Sequence, residues 1–167
     1  ANPKWSHGNQ SRFSEIISEQ QEKTEKVYVN FNVSTNPTAR YDCLNKIGDQ
    51  YPIQNKKNYP NSASIRDHDL FVDSTQKDYL RNIAKSCFTV SPVGNGVDCH
   101  KTWESLYMKS IPIVTRWHGA EKFKEMGIPM IIIDDWSELK DLHLTVDLYK
   151  KVWGDFGIET LNFNLFK

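Results

Sequence analysis

Three short apolar runs, residues 87–91, 111–115 and 130–133, are each followed by a segment with helical spacing. This alternation restricts the fold more than any other feature of the chain. A strand with one solvated face alternates apolar and polar residues, whereas a strand that is apolar throughout is covered on both faces. Strands of that kind interleaved with helices pack as a parallel sheet between helical layers, an α/β architecture of the Rossmann-like type. Upstream, residues 27–33 alternate as a strand and residues 51–54 read as a short further one, so the expected sheet has about five strands with helices on both faces. Helical spacing covers residues 11–24, 75–85, 97–109, 121–126, 136–142 and 145–156. One more helix opens with Asn36 as N-cap and Pro37 at its first position, and closes near Gly48. Residues 1–10 read as a polar lead-in, residues 55–69 as a surface loop, and 11–167 as a single domain.

In open parallel sheets, ligands bind beyond the carboxyl ends of the strands. Two turns fall at that edge. The first is SPVGNG, where Ser91 ends a strand and Gly94, Asn95 and Gly96 turn the chain into a helix carrying Asp98, His100, Lys101 and Glu104. Backbone N–H groups at a helix start lack internal partners, and the helix dipole favours negative charge there, so strand, glycine turn and helix together form an anion site. Lys101 in the first turns can reach a diphosphate, and Glu104 one turn deeper suits a ribose diol. His100 can donate to a phosphate or sugar hydroxyl. The helical wheel puts Cys99, Trp103, Leu106 and Tyr107 on the face toward the sheet, with His100, Lys101 and Glu104 on a neighbouring face. The second turn is Ser34-Thr35-Asn36-Pro37, with Arg40 in the first turn of its helix, where a guanidinium can clamp phosphate.

Each residue also has a plainer reading. Asp98 suits any first helical turn, His100 and Glu104 are spaced as a solvated pair, Arg40 as a surface arginine, and the glycines serve the turn alone. Asp135 or Ser137 reads as the cap of the next helix rather than as half of a metal-binding acid pair.

Several functions are excluded or disfavoured. Twenty-one basic residues balance 21 acidic ones, which argues against non-specific nucleic-acid or membrane-surface binding. The third glycine of a dinucleotide fingerprint is replaced by Cys99, which counts against an NAD-dependent enzyme, and no Walker motif is present. Three cysteines, odd in number and outside metal-ligand spacing, fit a reduced, cytoplasmic-type environment with no metal site. No run approaches a membrane span and ANPKWSHGNQ has no signal-peptide core.

The run SPVGNGVDCHKTWESLYMKSIPIV resembles the donor-binding half of exostosin-like glycosyltransferases and related GT-B sugar transferases. Ser91, Pro92, Gly94, Gly96, Asp98, His100, Trp103, Glu104, Leu106, Ile111 and Pro112 match that signature, and Thr35, Asn36 and Arg40 match its TN-x-x-x-R element. Lys101 stands where arginine is usual, and Lys109 where glycine is common. The lead-in ANPKWSHGN resembles the connector between the two halves of such enzymes. The resemblance implies a domain that binds a UDP- or GDP-sugar, with Arg40, His100 and Lys101 near the diphosphate and Glu104 near the ribose. It implies a glycan or similar acceptor, no required metal or other cofactor, and an acceptor-binding half, in the same or another chain, that supplies the catalytic base. It names no catalytic residue in this stretch. The alternative reading is a non-catalytic Rossmann-like module that binds a nucleotide or a partner.

Overall fold

The computed structural model describes residues 10–48 and 69–161. The expected strand at 51–54, the loop at 55–69 (but for residue 69, which begins a helix) and the lead-in before residue 10 lie outside these.

Four parallel strands form one sheet in the order β1 (Glu25–Tyr28), β2 (Ser86–Val90), β3 (Ile111–Thr115) and β4 (Ile131–Ile133). The described sheet therefore has four strands rather than the expected five. In register, Val27 lies opposite Phe88, Phe88 opposite Ile111, and Ile113 opposite Ile131. Alternate side chains point to opposite faces of the pleat. Val27, Phe88, Val90, Ile111, Ile113 and Ile133 face one layer, where Cys43 and Ile47 of α2 (Pro37–Ile47) join Trp136, Leu139 and residues of α6 (Val146–Trp153). On the other face, Tyr28 packs with α1 (Gln10–Ser18) and α3 (Asp69–Lys85) through Phe13, Ile16, Leu80 and Ile83. Val114 and Met130 pack there with Leu106 of α4 (His100–Tyr107) and Ala120 of α5 (His118–Glu125). Both faces are covered, which is why every residue of β2 is buried. Each fully buried leucine or isoleucine contributes about 1.5–3 kcal/mol.

Local chemistry sets the element ends. The Asn36 side chain accepts from Ala39 N at 3.2 Å, and Gly48 closes α2 at φ +61°. Asp135 caps a 3-10 turn at Trp136–Lys140, and the Glu138 carboxylate returns to its backbone N–H, a capping box. The first strand ends five residues earlier than its alternation predicts, because the Asn32 side chain accepts from Ser34 N and Ser34 Oγ and folds the chain into a 3-10 turn, Val33–Thr35. The helix expected over 97–109 spans only His100–Tyr107, because residues 94–96 close a turn through Gly94 N–H on Gly96 O.

That helix ends in a way that explains Lys109. Ser110 N donates to Ser105 O and Lys109 N to Leu106 O, the paired bonds of a Schellman close, which puts Lys109 at φ +57°. The same pair of bonds ends α5, where the left-handed position is Gly127 at φ +85°. A side chain at such a φ costs about 1–2 kcal/mol. Lys109→Gly is therefore expected to stabilise the domain by about 1 kcal/mol, read as a rise in thermal midpoint of about 2–4 °C. An unchanged or lower midpoint would show that the strain is relieved elsewhere.

Candidate functional site

Because all four strands are parallel, the turns after β1 and β2 open on the same edge of the sheet. Their proximity is covalently unforced and is built by two side chains. Asn36 Nδ2 donates to Gly94 O at 3.0 Å. Arg40 is only 5% exposed, and its guanidinium donates to Val93 O (Nε, 3.0 Å), to Asn32 O (Nη1) and to Cys99 Sγ (Nη2, 3.8 Å). A single cation thus holds both turns and the residue preceding α4. A guanidinium carries more donors than these partners take, and its plane suits several acceptors at once. Gly94 leaves room for this approach: a Cβ there would lie 2.9 Å from Arg40 Nη2 and would push the guanidinium aside.

The predicted site residues divide into two groups. Asn95, Gly96, Asp98 and His100 are exposed, and Thr35 and Asn36 half-buried, on the outer rim. Arg40, Ser91, Gly94, Lys101 and Glu104 are buried. The Ser91 hydroxyl pairs with Thr102 Oγ1 at 3.0 Å, tying the end of β2 to α4. Asp98 accepts from Trp103 Nε1 at 2.7 Å, so it braces the loop as well as carrying charge.

The apolar face that the helical wheel gives α4 packs as expected, Trp103 and Tyr107 joining the cluster of Leu106, Val114 and Met130, but the neighbouring face is far more buried than its charges suggest. Lys101 and Glu104 are 7% and 5% exposed and share the buried side with Thr102, Ser105 and Leu106, while Trp103 and Tyr107 are half-buried and His100 faces solvent. The inward turn has a partner on another helix, Tyr79 of α3. Lys101 Nζ donates to the Tyr79 hydroxyl at 2.9 Å, and that hydroxyl donates to Glu104 Oε2 at 2.7 Å. The Lys101 ammonium also lies 4.4 Å from the centre of the Tyr79 ring. Burial pushes Lys101 down to about 8, opposed by the Glu104 carboxylate, and burial, then Glu104, raises the Tyr79 phenol. Burial also lowers Arg40.

A second lysine, half-buried, lies away from this edge. Lys23 Nζ donates to Ser86 O at 2.8 Å and Met108 O at 3.3 Å, where α3 and α4 end, and burial pushes it down to about 7. For both lysines the folded state holds the proton less tightly than the unfolded chain. Below pH 7 both states are protonated and the burial penalty is full. As pH rises past 7 for Lys23, and past 8 for Lys101, the folded protein releases a proton that the unfolded chain keeps until about 10.4. Stability is thus expected to rise with pH across that window, by up to about 1.4 kcal/mol per pH unit for each lysine. Urea melts from pH 6 to 10 check this, with Lys23→Met expected to flatten the rise above pH 7. A parallel profile for wild type and variant would remove Lys23 as its source.

Among the described residues no cluster of acidic, histidine and cysteine side chains is arranged to hold a metal ion, and no helix is long and apolar enough to cross a membrane.

Comparison with known proteins adds a family to this geometry. A family profile described as the RXYLT1 C-terminal domain matches residues 11–150, the whole of the described sheet included. The mouse (Mus musculus) protein named ribitol-5-phosphate xylosyltransferase 1 is 29% identical over 98 residues, covering 48% of this chain and 22% of that protein. Its human (Homo sapiens) namesake is 30% identical over 82 residues, covering 41% of this chain and 18% of that protein. The chain thus spans about a fifth of the length of these curated relatives. A match across all four strands and both edge turns makes this chain a member of the RXYLT1 C-terminal domain family, a glycosyltransferase-related α/β domain.

Proposed function

We propose that this chain is the nucleotide-sugar-binding domain of a glycosyltransferase, one half of a GT-B enzyme whose acceptor-binding half lies elsewhere. The observation that carries the reading is the burial of three charged side chains at this edge, Arg40 against the glycine turn and Lys101 and Glu104 on the helix that follows it. In this reading the diphosphate of a UDP- or GDP-sugar sits on residues 94–96 and the amino end of α4. His100 and Asn95 contact it from the rim. Arg40 and Lys101 act from below, where a low-dielectric surrounding strengthens their attraction for the anion. These charges stabilise the leaving nucleoside diphosphate as a divalent cation would, so no metal is required. Glu104 accepts from the ribose diol. The relatives' printed names describe transfer of a xylosyl group to ribitol 5-phosphate, which makes a nucleoside-diphosphate pentose the first donor to test, with a glycan or polyol-phosphate acceptor.

Calorimetric titration with UDP, GDP and their sugars, with and without EDTA, tests the reading. Wild type is expected to bind one base, with no effect of EDTA. His100→Ala is expected to weaken binding about tenfold by removing one charge-assisted donor. Equal binding by both proteins would remove His100 from the site, and no binding by wild type would overturn the donor reading itself.

A further inference from the structure

We propose that Tyr79 is a positioning residue for the nucleotide, its hydroxyl holding the Glu104 carboxylate in the orientation that favours ribose over deoxyribose. This inference rests on the donor reading above.

Tyr79 comes from α3, and Lys101 and Glu104 from α4, so the hydroxyl joins two elements that meet only through the fold. Its hydrogen-bond direction is fixed. An ammonium only donates, so the phenol oxygen accepts from Lys101, and its single proton goes to Glu104. Burial raises the phenol's pKa, which keeps that proton in place at working pH. The ring is held between the Tyr28 ring, 6.1 Å away between centres, and the Lys101 ammonium, with Leu80 next to it fully buried. A rigid donor thus fixes Oε2 of a side chain that otherwise has several rotamers.

The alternative placement for the carboxylate is on its own helix. Glu104 is three residues from Lys101, a spacing at which side chains pair directly. With the phenol oxygen gone, nothing separates the ammonium from the carboxylate, and their attraction draws the carboxylate toward Lys101. Tyr79 separates the two charges by one hydroxyl and keeps Glu104 in a set orientation. A carboxylate oriented this way accepts both hydroxyls of a cis-diol, and a sugar lacking one hydroxyl loses one of the two bonds.

The test compares wild type and Tyr79→Phe in titrations with UDP, GDP, their 2′-deoxy counterparts and inorganic pyrophosphate. The expected result is a fall of about tenfold in the preference for ribose over deoxyribose, about 1.4 kcal/mol, with pyrophosphate binding changed by less than that. An equal loss for all ligands would reduce Tyr79 to a structural role and overturn the proposal. A ribose preference retained in full would overturn it and leave the donor reading standing. Binding of no nucleotide by wild type would sink both. Should Tyr79→Phe fail to fold, Glu104→Gln carries the test: its amide is a weaker acceptor for the phenol and the diol, so a ribose preference as large as that of wild type overturns the proposal.

Discussion

Arg40→Met is expected to destabilise the domain by about 2–5 kcal/mol and to abolish nucleotide binding. The guanidinium satisfies Val93 O and Asn32 O, carbonyls of two different turns, and reaches Cys99 as well. Methionine fills much of the same volume and donates nothing. A buried carbonyl left without a donor costs about 1–3 kcal/mol, and the half-buried Val93 and Asn32 carbonyls lose up to that much. Relief of the guanidinium's own desolvation offsets part of that loss, which sets the lower end of the range. Equilibrium urea melts measure the stability change, and titration with UDP or GDP measures the second effect under conditions where the variant is folded. Arg40→Lys keeps the charge but cannot span three acceptors, so it is expected to fall between. An unchanged urea midpoint for Arg40→Met would show that the two turns hold together without their shared cation.

Glu104→Leu is the second large effect, and its pH dependence identifies its cause. Removing the carboxylate leaves the Lys101 ammonium buried against Tyr79 with no opposite charge, a situation that costs about 3–5 kcal/mol. The charge itself titrates. Lys101 lies near 8 with the carboxylate present, and its absence lowers that value further. The loss is therefore expected to be greatest near pH 6 and to shrink toward pH 9, where the lysine is neutral in the folded state. Adding Lys101→Met is expected to recover most of the loss, so that the double variant is more stable than Glu104→Leu alone. Additive effects, or a loss independent of pH, would show that Glu104 contributes through packing rather than through charge.

These variants probe features that were unequally legible in the sequence. The parallel strands were readable because residues 111–115 and 130–133 are apolar at nearly every position, which only a sheet covered on both faces permits. The cap at Asn36 and the close of α2 at Gly48 depend on atoms a few residues apart and fall where expected, and of the two caps the sequence left open, Asp135 or Ser137, the structure takes Asp135 and adds Glu138 as a capping box. Lys109 was visible as an unusual residue at its position, but its left-handed φ became evident only with the two closing bonds of α4. The early end of β1 was missed because alternation continued through Phe31 and Val33, while one Asn32 side chain was enough to divert the backbone.

The interior of the candidate site was the least legible. A helical wheel sorts residues by angle, so it put Lys101 and Glu104 on a face beside the apolar one but could not show that this face is buried. They turn inward because a tyrosine more than twenty residues earlier in the chain satisfies both. Among the described residues, no buried side-chain nitrogen or oxygen lacks a hydrogen-bond partner, which is the condition under which polar groups enter a core at all. The sequence by itself determined the α/β class, the strand order of events along the chain, the caps and the edge where the turns emerge, because each depends on local periodicity or on partners within one turn. Tertiary structure alone decided that Arg40 ties the two turns together, that Lys101 and Glu104 face Tyr79 and that His100 is left on the rim, because burial of a charge is decided by partners that only the folded chain brings within hydrogen-bonding distance.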